Sequence, residues 1–262
     1  MTKITSYWHY LKAVILMSYE QAAIYRANFI LRLVRALVEL AVSVIMIGAF
    51  FSHTSTLGQY SQTEAYLIAA LSLLIIGLVI FFFGSGIEGL HRLIHQGTFD
   101  HLLLQPKDSM WLASTRYVHI TNLFRVGFGL AFFFWVINHL NLHPTFAQSL
   151  LFSLTFISAL VVYFSLMFMA ATVSFWALSG ELFYLFNTLI SVSRYPIDIF
   201  GTLLKGLLTI FPVIFIATIP AQALLGRFNW LIWLSPFIAA LSFWLTRRFW
   251  SIGLRAYESV SS

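Results

Sequence analysis

The 262 residues of this chain are 60% hydrophobic and only 9% charged, with a mean hydropathy of +0.87. A water-soluble domain needs roughly a quarter of its residues charged, so the composition excludes a soluble globular protein. The net charge of +6 is typical of basic loops beside anionic lipid, and it does not indicate nucleic-acid binding. Because the chain contains no cysteine, disulfides, thiol nucleophiles and thiolate metal sites are excluded as well.

The first predicted element is the N-terminal stretch 3–27, which mixes apolar, polar and aromatic residues. This pattern predicts a helix lying in the membrane interface, and the alternative is a cytoplasmic extension of the first span. A membrane span needs about 20 mostly apolar residues. Six segments meet that requirement, near 30–52, 65–84, 118–138, 147–172, 199–219 and 229–249. We therefore predict an all-α polytopic membrane protein that forms a single transmembrane domain.

The basic residues predict the orientation of these spans. With both termini in the cytoplasm, every one of the 15 Lys and Arg residues except Arg227 lies at or near the inner face. Arg194 and Lys205 are among the residues assigned to that face. The opposite orientation would contradict the tendency of cytoplasmic loops to be basic.

The internal connection 85–117 has broken helical periodicity, with apolar residues on one face and polar residues on the other. Gly97 permits a turn between two short helices, and Pro106 ends the second helix. One face suits the spans above it and the other suits a soluble protein below, although a solvated connector explains the same pattern. His91, His95 and His101 suggest a metal site, since the first two are four residues apart, but such a site is disfavoured because the histidines are scattered and no third ligand stands in suitable spacing.

The region after the fourth span is broken by several residues. A break at Gly180 precedes Glu181, which suits the positive end of a helix dipole. Pro212 and Pro220 interrupt the fifth apolar segment. Either a re-entrant turn between spans five and six or an ordinary kinked helix accounts for these prolines.

Few charges lie at membrane depth. Glu39 follows Arg35 by four residues, so we predict a local ion pair between them. Arg125 lies about two turns inside the third span, where it either snorkels inward or lines a cavity.

The sequence contains no GxxxxGK[ST], HExxH or GxSxG motif, and no span carries the acidic cluster of a proton or sodium relay. We therefore predict a chain with no catalytic site, cofactor or metal of its own. A secondary carrier, a lipid-modifying enzyme and a non-transporting scaffold remain alternatives to a permease.

Several segments resemble permease subunits of type-2 ATP-binding-cassette (ABC) exporters, in particular small bacterial six-span permeases. They are GTFDHLLLQP at 97–106, RYPIDIF at 194–200, FPVIFIATIPAQALLGR at 211–227 and GLRAYESVSS at 253–262.

The resemblance implies a permease that moves its substrate out across the bacterial inner membrane. The many aromatic residues would suit an amphiphilic, drug-like or lipid-like substrate. The resemblance also implies a second permease copy or homologue, and two P-loop ATPase subunits that bind ATP and Mg²⁺. Residues 86–106 would be the coupling element on the ATPase, with these candidates: Glu88, His91, Arg92, Gly97, Asp100 and Pro106. A cavity or gate would involve Glu39, Arg125, Pro212 and Pro220.

Overall fold

A computed structural model describes residues 26–116, 118, 122–177 and 181–257, which contain helices and no β-strand. The predicted interfacial helix 3–27 lies outside these residues apart from its last two positions, and so does Gly180. We number the helices α1 (Arg26–Phe51), α2 (Gln62–Val79), α3 (Ser85–His95), α4 (Asp100–Leu103), α5 (Ser109–Thr115), α6 (Leu123–His139), α7 (Phe146–Thr172), α8 (Glu181–Ile190), α9 (Thr202–Ile210), α10 (Ile214–Leu224) and α11 (Trp230–Ala256). The prediction of an all-α polytopic membrane protein is confirmed.

The helix bundle is built around two elements that are apolar on every side. Most of α2 and all of α10 are buried, while α7 packs against α2, α10 and α11. Capping boxes start α2 at Ser61 and Glu64 and start α7 at Thr145 and Gln148. Both boxes satisfy free amide groups where a span begins.

A π-helical segment, Ile80–Gly84, joins α2 to α3 without ending the helix. The result is one continuous apolar helix, Gln62–His95, of 34 residues. The predicted second span therefore continues into the predicted connection 85–117. A π-turn inserts an extra residue, so it changes which faces of α2 and α3 are aligned.

Contacts between connections define two ends of the bundle. At the first end, which we call the outer end, Gln222 donates a hydrogen bond to Tyr60 and Arg227 pairs with Glu64. At the opposite, inner end, Arg247 pairs with Asp108. The names follow the predicted orientation.

Residues 181–198 run from the inner end to the outer end. Ala177, just before them, accepts a hydrogen bond from His95 at the inner end. Ser193 then bonds to Ser72 inside the bundle. Asp198 packs directly against Gly58 in the outer connection, so closely that a Cβ on Gly58 would lie 2.5 Å from that of Asp198.

The bent pair α9 and α10 follows, with 96° between its helices. It begins beside Asp198, which pairs with Lys205, and it ends beside Arg227, so both of its ends lie at the outer end. The structure thus differs from the predicted fifth span, 199–219, which falls on this pair. The assignment of Lys205 to the inner face is wrong for the same reason, and Arg194 lies at the depth of Glu39 rather than at the inner face.

Four helices in the described part of the chain are long and apolar enough to span a membrane: Phe29–Phe51, Gln62–His95, Phe146–Phe175 and Trp230–Ala256. The bent pair and the shorter apolar helix Leu123–His139 accompany them. The count of six spans stays a prediction.

Candidate functional site

The inner-end segment from α3 to α4 is anchored by the apolar face that its periodicity predicted. Ile87, Leu90 and Ile94 are buried on α3, while Arg92 and His95 on the opposite side are exposed. The hydrophobic spacing of three and four residues turns one face of the helix toward the bundle. The predicted amphipathic character of this segment is confirmed.

Gly97 provides the turn between α3 and α4. Its φ of +69° is in the left-handed region, where a side chain is strained, so a glycine is needed at this point. Phe99 lies two residues after Gly97 and is fully buried. Its ring contacts Phe175 at 5.6 Å, Trp250 at 5.9 Å and Tyr257 at 5.1 Å between centroids. The turn is thereby fixed to α7 and α11.

Asp100 lies toward this aromatic cluster rather than entirely toward solvent. Burial and the neighbouring Asp100 carboxylate both raise the pKa of Tyr257, because each disfavours a phenolate. Of the predicted coupling residues, Asp100 is therefore half-buried and partly structural, whereas Arg92 and Pro106 are exposed.

A second close contact fixes the start of α3 against α5. A Cβ on Gly86 would lie 2.3 Å from the carbonyl oxygen of Ala113 and 2.4 Å from that of Ser114. The Asp108 side chain caps α5 by accepting from the amide of Trp111. These contacts hold 86–115 as one unit under the bundle.

The side of this unit that faces away from the bundle carries exposed apolar side chains among polar ones. Leu104 is 81% exposed, Leu103 is 42% exposed, and His101 and Gln105 beside them are exposed too. We call this surface, formed by Arg92, His101, Leu103, Leu104, Gln105 and Pro106, the inner face patch.

The His91 and His95 rings lie side by side, with 4.3 Å between centroids. Among the described residues, no group of three or more His, Asp or Glu side chains is arranged to hold a metal ion.

A second candidate site is a cavity of about 500 Å³ between α1, α6 and the segment after α8. Its polar wall carries most of the charges that lie within the bundle. The charged lining residues are Arg32, Arg35, Glu39, Glu88, Arg125 and Arg194.

Glu39 is the centre of an ionic network in this cavity. It pairs with Arg35 through the predicted spacing of four residues, at 3.4 Å, so that prediction is confirmed. Its other carboxylate oxygen contacts Arg125 of α6 and lies 3.9 Å from Arg194. Three separate parts of the chain therefore meet at one carboxylate.

The predicted site residues divide between the two regions. Glu39 and Arg125 line the cavity, whereas Pro212 lies in the turn between α9 and α10 and Pro220 is buried within α10. Glu88 also lines the cavity. Their predicted roles in coupling or gating stay predictions.

The sequence reasoning missed Arg194 as a cavity residue, because it assigned Arg194 to the inner face. A signal was nevertheless present. Arg194 stands in a mostly apolar stretch long enough to cross the membrane, and a charge in such a stretch usually faces a cavity or a partner.

Comparison with protein families matches residues 37–261 to the model described as "ABC-2 family transporter protein". The chain belongs to this family. The match spans every helix from the middle of α1 to α11, including the anchored inner-end segment and the charged cavity. Comparison with curated protein sequences and with solved structures gives no significant match. Membership of this family makes the chain a membrane permease component of an ABC transporter. Members of the family work with ATP-binding subunits.

Proposed function

We propose that this chain is the permease subunit of an ATP-driven exporter in the bacterial cytoplasmic membrane, with both termini in the cytoplasm. The observation that carries the proposal is the inner face patch, an exposed surface on a segment whose other side is rigidly anchored. An exposed pair of leucines gains nothing from contact with water, but it is well suited to a protein interface.

The anchoring is what allows this surface to transmit movement. Phe99 joins the turn to α7 and α11, and Gly86 brings α3 against the backbone of α5. A push on the patch is therefore passed to the spans instead of being absorbed by a loose loop. This is the mechanical property that a coupling element between an ATPase and a permease requires.

The proposed assembly contains two ATPase subunits, which supply ATP and Mg²⁺, and a second permease, either another copy or a homologue. Exposed apolar side chains along α1, such as Leu31, Val38 and Ile45, are compatible with either lipid or a second permease at this face. Export would proceed through the space between the two permeases.

Co-purification tests the coupling surface directly. We expect Leu104→Ser to reduce recovery of a P-loop ATPase with the tagged chain, because a central apolar contact carries much of an interface's binding energy. The matched control is Phe146→Ser, which changes a residue of similar exposure, 85%, at the outer end. Equal recovery with both variants would contradict the coupling role.

Family membership disfavours a secondary carrier, which is the second candidate, but the ionic network at Glu39 is an observation that favours it. Buried ionisable groups within spans are typical of carriers that use ion gradients. Transport by proteoliposomes separates the two functions. The exporter needs ATP and the ATPase subunits, whereas a carrier responds to a proton or sodium gradient without either.

A further inference from the structure

The charged cavity is not electrically balanced. Four arginines line it against two glutamates, so it carries two more positive than negative side chains. Deep in the cavity the excess persists. The side chains of Arg125 and Arg194 are only 13% and 16% exposed, and they share the single carboxylate of Glu39.

These two arginines also have unused donor capacity. The Nε atoms of Arg125 and Arg194 are buried and have no hydrogen-bond partner among the described residues. Each guanidinium has five N–H donors in a planar fork, which suits the paired oxygens of a phosphate or carboxylate. A positive charge held away from water is costly unless a negative group accompanies it.

The position of the cavity indicates how a ligand would reach it. Ile76 of α2 and Ile80 of the π-helical segment form part of its wall, and Glu88 and Arg32 lie toward the inner end. By helical rise, Ile76 is about 20 Å below the outer end of α2 at Gln62. The cavity thus occupies the inner half of the bundle.

The edges of the cavity include apolar surface, although its floor is charged. Leu31 of α1 and Tyr184 of α8 line the cavity and are 67% and 64% exposed, beside the polar Asn187 and Thr188 of α8. A volume of about 500 Å³ is within the range of small-molecule sites. A ligand with one anionic group and an apolar chain would place its charge on the arginines and its chain between α1 and α8.

We propose that this cavity binds the anionic headgroup of an amphiphile, a phosphate or a carboxylate, between Arg125 and Arg194. Glu39 competes with the ligand for the same two arginines. The site is therefore regulated by its own carboxylate, which holds the arginines together when no ligand is bound. That the ligand is the exported substrate rests on the proposed function, but its binding does not.

The test is equilibrium dialysis of the full chain in phosphatidylcholine nanodiscs against radiolabelled octyl phosphate, with empty nanodiscs subtracted. We expect saturable binding that octanoate displaces and that inorganic phosphate and octyltrimethylammonium displace much less. Arg194→Gln and Arg125→Gln should each weaken binding at least about tenfold, the loss expected of one charged hydrogen bond. Arg247→Gln, which changes an arginine that pairs with Asp108 at the inner end, should leave binding unchanged.

The direction in which Glu39→Gln changes the affinity for octyl phosphate distinguishes a binding site from a structural network. Removal of the competing charge frees the arginines, so octyl phosphate should bind more tightly to this variant than to the unmodified chain. A network with a purely structural role predicts no such gain. Arg194→Lys, which keeps the charge, should retain more binding than Arg194→Gln.

Equal binding of octyl phosphate to the unmodified chain and to both glutamine variants at Arg125 and Arg194 would overturn the proposal. If inorganic phosphate bound as tightly as octyl phosphate, the proposed preference for an amphiphile would be wrong. If octyltrimethylammonium displaced octyl phosphate as well as octanoate does, the proposed selectivity for anions would be wrong. The assay contains no ATPase, so its failure would leave the exporter proposal standing. Failure to recover an ATPase would likewise leave the binding result intact.

Discussion

At the scale of single residues, Glu39 determines how three parts of the bundle are joined. Its carboxylate contacts α1 through Arg35, α6 through Arg125 and the segment after α8 through Arg194. The last two arginines are largely buried and depend on it for charge compensation. A buried ion pair gives little net stability, but the loss of one partner leaves an uncompensated charge.

We therefore expect Glu39→Ala to destabilise the protein by about 3–5 kcal/mol. The measurement is the thermal unfolding of the purified chain in a mild detergent. Arg247→Ala is the matched control, because Arg247 also forms an ion pair, with Asp108, but both of those side chains are more than a third exposed, so water screens the loss. If the two variants unfold at the same temperature, the network around Glu39 does not join the helices as described.

Two glycines of α3 give a second comparison of matched residues. Gly86 meets the backbone of α5, whereas a Cβ on Gly89 would find no atom within 4 Å. Gly86→Ala should cost about 1–3 kcal/mol, because neither backbone can move aside. Gly89→Ala should be neutral or slightly stabilising, since alanine favours a helix more than glycine does.

The same unfolding measurement in detergent compares the two glycine variants. A Gly86→Ala protein as stable as the Gly89→Ala protein would show that α3 and α5 are not in close backbone contact.

At the scale of elements, the periodicity of the sequence was sufficient for the inner-end segment. Leucines and isoleucines at helical spacing predicted the buried face of α3, and Gly97 predicted its turn. The contacts of Phe99 with α7 and α11 could not be predicted. They join residues far apart in the chain, and such pairings depend on the tertiary arrangement alone.

The region 175–227 was harder to predict because hydropathy does not distinguish a crossing helix from one that turns back. The proline break was predicted, but the boundary of the fifth span was not. In the structure, 181–198 contains three polar residues with partners: Ser191 donates to the carbonyl of Thr188, Ser193 bonds to Ser72 and Arg194 pairs with Glu39. Those polar residues reduced the apparent hydropathy and shifted the predicted span to 199–219.

Labelling of introduced cysteines tests this rearrangement. We expect both Lys205→Cys and Gln59→Cys to react with an impermeant maleimide from outside intact cells, because Asp198 holds the part of the chain around Lys205 against the outer connection. His101→Cys, exposed at the inner end, should react only after the membrane is permeabilised. Protection of Lys205→Cys in intact cells would restore the original assignment of that residue to the inner face.

At the scale of the whole molecule, the two ends of the bundle differ in what they offer a partner. The outer end is closed by local contacts, in which Arg227 pairs with Glu64 and lies over the ring of Tyr60 at 5.2 Å. The inner end presents the inner face patch on an anchored support. The clustering of basic residues on one side predicted that the two ends would differ, and family membership indicates that a partner of this chain is an ATP-binding subunit.

The central claim is that the chain couples to a separate ATPase through its inner end and has no ATPase activity of its own. ATP hydrolysis in phosphatidylcholine proteoliposomes tests that claim most directly, with the chain alone, with its co-purified P-loop ATPase, and with Leu104→Ser in the same complex. We predict no hydrolysis by the chain alone, ATP turnover by the complex, and turnover lowered at least about tenfold by Leu104→Ser, the loss that a central interface contact carries. Sustained hydrolysis by the chain alone, or full turnover with Leu104→Ser, would contradict the account.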